Sequence, residues 1–270
     1  MIPKIIHYCW FGGNSKSELI MNCIESWKKF APDYEIIEWN ESNWNINYNQ
    51  YTKEAYHEKK WAFVSDVARL DIIYNYGGIY LDTDVELKRP IDELLNYSAF
   101  FASDDYRVII ATGLGFGAEA RNKIVKSILD DYKDIAFIKE NGSLDETNCT
   151  ERNTNSFLKL APDFKIKQYQ QVVNNMLFIS YMDYSKYVTH YCDGSWRKKL
   201  TLEEQEGMEL ICKRNKKKWL LKLKDRVRSP QIYQFLENNN YKSILKIYLF
   251  FTHDFLDYGI VYFIKKYLFK

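Results

Sequence analysis

The chain has 270 residues, 46% hydrophobic and 17% aromatic, which is enough apolar material for a substantial core and excludes a disordered or low-complexity protein. The net charge of +2 hides a division: residues 211–270 carry 14 Lys/Arg against 4 Asp/Glu, residues 1–210 are acidic by 8 charges, and only the tail has the sign to meet an anionic partner. Five scattered cysteines (Cys9, Cys23, Cys149, Cys192, Cys212), with no CxxC pair, support neither a zinc site nor a disulfide framework and fit a reducing compartment.

The opening MIPKIIHYCWFGG reads as a buried strand over residues 5–10 followed by a turn at Gly12-Gly13. Its apolar run is short and no small-residue cleavage site follows, so a signal peptide is not expected. Leu19, Ile20, Cys23, Ile24, Trp27 and Phe30 recur at helical spacing, which predicts an amphipathic helix over 17–30, stopped by Pro32-Asp33. A second strand follows at 34–39. Strand, helix, strand at this length is a βαβ unit with parallel strands. Residues 40–50 are polar and loop-like. A helix over 62–76 ends at Gly77, and a short strand occupies 79–81.

Farther along, 99–102 and 108–111 are predicted short strands, and 112–117 (TGLGFG) is a glycine-rich turn. A helix is predicted over 122–131, a helical turn over 156–160, and strands over 171–179 and 187–191. The tail has another character. Residues 213–228 hold nine basic residues and one acidic one, with Trp219, Leu220, Leu221 and Leu223 interleaved. Residues 243–269 are rich in Ile, Leu, Phe and Tyr but broken by Lys246, His253, Asp254, Asp257, Lys265 and Lys266. A spanning helix needs about 20 mostly apolar residues. An interfacial helix pair, or helices packed on the body, fit better. The division expected is one domain over 1–205 and a helical extension over 206–270.

The densest chemical signal is SDVARLDIIYNYGGIYLDTDVE at 65–86. Asp82 and Asp84 stand just past the strand. If the chain stays extended there, alternate side chains share a side and both carboxylates converge, with Thr83 turned away. Two hard oxygen ligands suit Mg²⁺ or Mn²⁺ held together with a diphosphate. Asp66 and Arg69 are three apart on the preceding helix and share a face. They are either a surface ion pair, or a sugar-binding carboxylate beside an Arg whose planar fork meets sugar or phosphate. Trp10 ends the first parallel strand, where ligands of such sheets sit. The glycine-rich turn lacks the Lys of a P-loop.

With SDxxRxxxxYxxGGxYxDxD inside it, the run 62–86 resembles the sugar-binding DXD region of retaining glycosyltransferases. The similarity is to the family of bacterial capsule transferases and the fungal initiating α-1,6-mannosyltransferase (glycosyltransferase family 32-like), and more distantly to clostridial glucosylating toxin domains. The opening IPKIIHYCWFGG and the later THYCDGSW match in the same order, so the resemblance spans roughly 1–200. It implies an α/β GT-A fold, with a Rossmann-like nucleotide half built on a central mixed sheet, here followed by the helical appendage. It also implies a nucleotide-sugar donor, Mn²⁺ or Mg²⁺, and retention at the anomeric carbon. By position, Trp10 would stack on the base, Ser65, Asp66 and Arg69 would contact the donor, and Tyr80 would lie near ribose and phosphates. Asp82 and Asp84 would be the ribose and metal carboxylates, with Asp84 the direct ligand. His190 would complete the metal shell, and Ser195 and Trp196 would close over the diphosphate. Asp66, Arg69, Asp82 and Asp84 form the expected catalytic set. Residues 151–156 (ERNTNS) match the family's acceptor-side segment weakly and leave acceptor and base unassigned.

The expected activity is transfer of a hexose from a UDP-hexose, UDP-galactose being the first choice. The expected acceptor is a lipid-linked oligosaccharide in bacterial capsule or surface polysaccharide synthesis. The expected location is cytoplasmic and peripheral at the inner membrane face, through anionic-membrane contact by 213–270; packing on the body or a homodimer is the other use of that tail, and nucleic acid is not expected. Two readings compete. A metal-dependent phosphohydrolase would use Asp82, Asp84, Asp104 and Asp105, but Glu86 stands where it expects Thr or Val. A non-catalytic nucleotide-sugar-binding protein is the other.

Overall fold

In the computed structural model, residues 1–103, 109–165 and 170–191 are described. Asp104, Asp105, Ser195, Trp196 and the extension 206–270 lie outside them.

The β-branched and aromatic run IIHYC forms β1 (Ile5–Cys9), which pairs in parallel with β2 (Glu35–Trp39) in the register Ile5↔Glu35 to Cys9↔Trp39. Between them runs α1 (Glu18–Phe30), whose N-cap Ser17 accepts from the Ile20 amide. Then come α2 (Gln50–His57) and α3 (Trp61–Tyr76). Helix α3 buries nine residues around most of its circumference, as a helix lying against a sheet inside other helices must. It stops at Gly77, and β3 (Gly78–Tyr80) returns beside β1. Gly77 and Gly78 have φ of 67° and 98°, and a Cβ on Gly78 would lie 2.8 Å from the Ile5 carbonyl oxygen, so this reversal requires glycine.

The remaining elements are β4 (Val85–Leu87), a 3₁₀ turn at Asp92–Asn96, β5 (Ala99–Ser103), β6 (Phe116–Ala118), α4 (Lys123–Asp130), α5 (Cys149–Leu160), β7 (Gln171–Val173), β8 (Met176–Ser180), α6 (Tyr181–Tyr184) and β9 (Val188–His190). Among the described residues, seven strands form one mixed sheet in the order β2-β1-β3-β6-β5-β8-β7, while β4 and β9 make a separate antiparallel ribbon. Side chains alternate across the sheet. Ile6, Ile79, Phe100 and Leu177 pack with Ile20, Ile24 and Trp27 of α1 on one face. Tyr80, Phe101 and Phe178 pack with Val64, Val67 and Leu70 of α3, Val125 and Ile128 of α4, and Phe157 of α5 on the other. This is the α/β architecture with a central mixed sheet that was expected. Among the described residues, no helix is long and apolar enough to cross a membrane.

Four local expectations change. Residues 109–111 form no strand; the Ile109 and Ile110 amides donate to the Thr154 hydroxyl instead. The single strand at 171–179 is a hairpin, turned by Asn174 and Asn175 with φ of 50° and 61°. The helical turn at 156–160 is the end of the longer α5, capped by Asn148. Helix α2 was not expected, and it begins with a capping box between Asn49 and Thr52.

His7 ties β1, β2 and the glycine turn together. It is fully buried, with Nδ1 accepting from the Trp39 indole N–H at 3.0 Å and Nε2 at 2.9 Å from the Gly77 carbonyl oxygen. An indole only donates, so the proton sits on Nε2 and the ring is neutral. Burial lowers the imidazole to about 4. The folded value lies below the unfolded one, so protons are taken up on unfolding, and the contribution is full above about pH 6.5 and lost as pH falls toward 4. Between pH 7 and pH 5 the wild-type unfolding free energy is expected to fall by about 2 kcal/mol more than that of His7→Gln. Urea denaturation at the two pH values measures the difference, and equal losses would contradict a neutral His7.

Candidate functional site

The site forms where the chain leaves β3. The Leu81 amide donates to the His7 carbonyl, extending the strand by one residue, and the Val85 amide then donates to the Asp82 carbonyl at 3.0 Å. The chain at Thr83-Asp84 is therefore a turn, not the extended segment expected. Asp82 and Asp84 meet because of that turn. Beyond it, pairing of β4 with β9 places Val85 opposite His190, and the Tyr191 amide donates to the Asp84 carbonyl. His190 Nε2 ends 3.3 Å from Asp84 Oδ1. One oxygen each of Asp82 and Asp84 and one nitrogen of His190 lie within 4.8 Å of one another, all three residues half-buried. Two carboxylates and an imidazole at that spacing fit a divalent ion such as Mn²⁺ or Mg²⁺.

Next to this cluster, Arg69 is buried inside the protein, its side chain 4% exposed. Its Nη2 donates to Asp66 Oδ1 at 2.7 Å, its Nε donates to the Ser65 carbonyl, and its Nη1 is 3.3 Å from Asp82 Oδ1. The guanidinium lies over the Tyr80 ring at 4.9 Å. Asp66 and Arg69 are thus a buried pair and not a surface one. Among the described residues, Nη1 itself makes no hydrogen bond. Burial raises the Asp66 carboxyl, against the opposing pull of Arg69 and of the Cys149 thiol that donates to it. Burial likewise pushes Asp82 up to about 6, with Arg69 opposing and Asp84 adding to the rise. Asp66 and Asp82 face the guanidinium and Asp84 faces His190, so three carboxylates gather beside one permanent positive charge, an excess that favours a bound cation.

The other expected residues have definite places. Trp10 is half-buried at the end of β1, its indole N–H donating to the Asn14 carbonyl at 2.7 Å. The Lys16 ammonium lies 5.4 Å over its ring and pairs with Glu38 at 2.7 Å. The Ser65 hydroxyl is turned back to the Trp61 carbonyl. Tyr80 is 1% exposed and shares a hydrogen bond with the Cys9 thiol, so its place is beneath Arg69 in the core.

The glycine-rich turn reaches the site at Gly113, where a Cβ would lie 2.8 Å from Asp82 Oδ2 and 3.4 Å from Arg69 Nη1. Behind it, Asn153 is fully buried, donates to the Thr112 hydroxyl at 2.9 Å, and leaves its Oδ1 without a partner among the described residues. Cys149 and Asn153 are one helical turn apart on α5; Asn153 lies in the weakly matched segment 151–156, and nothing in the sequence marks Cys149 as a site residue. The usable signal was Asn148 as a cap, which would have started α5 early enough to put them on one face.

Gly113→Ala tests the closeness of that turn. The backbone there accepts alanine, so stability is expected to change by less than about 1 kcal/mol. The Asp82 carboxylate must rotate away, and affinity for Mn²⁺ is expected to fall by about 10-fold. Thermal unfolding and Mn²⁺ titration of the variant measure the two effects separately.

Comparison with known proteins adds similarities to the geometry. Residues 17–101 match the family described as a glycosyltransferase sugar-binding region containing a DXD motif. Inositol phosphoceramide mannosyltransferase 3 of Schizosaccharomyces pombe is 36% identical over 109 residues, covering 37% of this chain and 29% of that protein. The human alpha-1,4-N-acetylglucosaminyltransferase is 42% identical over 67 residues, 24% of this chain and 17% of that one. The matches therefore span a third or less of these two relatives' length. Among solved structures, the PaToxG glycosyltransferase aligns with a TM-score of 0.44 and 21% identity over 60% of this chain and 70% of that one. Residues 17–101, which carry Asp66, Arg69, Asp82 and Asp84, are similar to the sugar-binding region of DXD-containing glycosyltransferases.

Proposed function

We propose that the protein is a metal-dependent retaining glycosyltransferase that moves a hexose from a UDP-hexose, UDP-galactose first among them, to a lipid-linked oligosaccharide of a bacterial capsule or surface polysaccharide. The observation that carries the reading is the convergence of Asp82, Asp84 and His190 beside the buried Asp66–Arg69 pair, at the carboxyl ends of β1 and β3. Asp82, Asp84 and His190 would hold Mn²⁺ or Mg²⁺, which when bound supplies positive charge to a leaving diphosphate.

The chain's own groups divide the remaining work. Arg69 is held by Asp66, the Ser65 carbonyl and the Tyr80 ring, so its unbonded Nη1 is a fixed donor for a phosphate or sugar oxygen. Asp66 accepts a sugar hydroxyl with its remaining lone pairs. Trp10, pinned by Asn14, offers a ring to the base. All three carboxylates are engaged with Arg69 or with one another's cluster, and none is left as a nucleophile. Retention then follows from front-face attack: the acceptor oxygen bonds to the anomeric carbon on the face the phosphate oxygen leaves, and the hydroxyl proton passes to that oxygen.

The yeast relatives are named as mannosyltransferases of inositol phosphoceramide, which supports a lipid-borne acceptor. The basic tail at 213–228 supports a place at the cytoplasmic membrane face, since each basic residue near an anionic surface contributes about 1 kcal/mol.

Nucleotide release from UDP-galactose, UDP-glucose, UDP-N-acetylglucosamine and GDP-mannose with Mn²⁺ tests the activity. Turnover of one donor is expected, reduced by at least about 100-fold in Asp84→Ala. A protein that neither turns over nor binds any of them is not this enzyme. Sedimentation with anionic liposomes tests the tail. The full chain is expected to bind and a chain lacking residues 213–270 to remain in solution; equal binding by both would remove the membrane role.

A further inference from the structure

The ribbon that carries Asp84 and His190 is small. Strand β4 has three residues and, among the described residues, pairs with β9 on one side only. A lone two-stranded ribbon is marginal in water. Its other edge is not left open. The Trp27 indole N–H donates to the Val85 carbonyl at 2.7 Å, and the Leu87 amide donates to the Ser26 hydroxyl at 2.9 Å. These are the carbonyl and amide of alternate residues, the groups a further strand would take up. The opposite edge carries the matching ladder, with the Tyr191 amide on the Asp84 carbonyl and the Lys88 amide on the Tyr187 carbonyl.

Ser26 and Trp27 both belong to α1, and with Cys23 they fill the buried stripe that packs against β4. Trp27 is fully buried and meets the Tyr8 ring edge-on at 5.5 Å. The Ser26 hydroxyl donates in turn to the Cys23 carbonyl, so its orientation is set by the helix itself. Apolar packing alone asks only for bulk at position 27 and has no use for an N–H. An indole N–H aimed at the carbonyl of the residue after Asp84 does something more specific.

We propose that Ser26 and Trp27 are positioning residues for the metal cluster, acting as a surrogate third strand that fixes Val85 and Leu87 and thereby the place of Asp84 against His190. The inference rests on the metal reading of Asp82, Asp84 and His190 given above. It adds that a helix wholly outside the cluster sets its geometry. Groups that orient metal ligands typically alter metal affinity by about 10- to 100-fold when removed.

Binding of Mn²⁺ alone to the full chain, followed by the electron paramagnetic resonance of free Mn²⁺ well below the unfolding temperature, tests it without reference to activity. Trp27→Phe keeps an aromatic ring, though a smaller one, and deletes the donor; Ser26→Ala deletes the acceptor of the Leu87 amide. Mn²⁺ affinity is expected to fall by about 10-fold in Trp27→Phe and by a smaller factor in Ser26→Ala. Leu129→Ala, a core variant in α4, is expected to lower the unfolding temperature while leaving Mn²⁺ affinity unchanged. If both α1 variants bind Mn²⁺ as wild type does while Asp84→Ala does not, the strut has no positioning role and the inference fails alone. An equal loss in Leu129→Ala would also overturn it, since the effect would then be general destabilisation. If Asp84→Ala binds Mn²⁺ as wild type does, the metal reading itself falls and the inference with it.

Discussion

A cation buried inside a protein must find its counter-charge there, and Arg69 is that cation. Its guanidinium draws Asp66 from its own helix and Asp82 from the chain beyond β3, and it rests on the Tyr80 ring of β3. An unpaired charge at this depth would be strongly destabilising. Helix α3 must therefore lie along β3 at the one register that lets a helical carboxylate and a strand-end carboxylate reach the same fork. The packing of helix on sheet and the gathering of negative charge at the strand end are consequences of the same requirement. Tyr80, which in the sequence invited a role beside the donor, is part of the support under the guanidinium.

The site is assembled at two ranges. Asp66, Arg69, Asp82 and Asp84 come from 19 consecutive positions, joined by a helix, a glycine reversal and a three-residue strand. His190 arrives from more than 100 positions away and is delivered by three backbone pairings of β9 with β4. Gly113 and Asn153 come from the chain between them and close the same corner. Asp82 is held by the charged pair and Asp84 and His190 by the ribbon, so disturbances of the two act on different ligands.

What was legible follows from how local each signal is. The apolar stripe of α1, the parallel pair around it and the Gly77-Gly78 break were readable because their causes lie within a few residues of one another. The Asp82–Asp84 pair stood out as a motif, though its convergence was assigned to an extended chain when a turn closed by the Val85 amide produces it. Helix α2 escaped because its buried side is only Tyr51, Thr52 and Ala55 in an otherwise polar run. Helix α5 was truncated because Asn153, Thr154 and Ser156 are buried polar residues, satisfied in part by the 109–112 segment, and a period built on apolar residues does not register them. The hairpin at Asn174-Asn175 carried its own signal, a dipeptide tolerant of positive φ inside an alternating run, which was read as one strand.

Strand order bears on what the family-matched segment is. Residues 17–101 contain β3, but its two neighbours in the sheet lie outside that segment, β1 at Ile5–Cys9 before it and β6 at Phe116–Ala118 after it. Cut out on its own, the segment would present β3 with both edges bare and would lose the His7 bridge to Gly77. The matched stretch is therefore not a module that can be transplanted; it is a seam whose two sides are supplied by sequence outside it, and any change there must still leave β1 and β6 able to pair with β3.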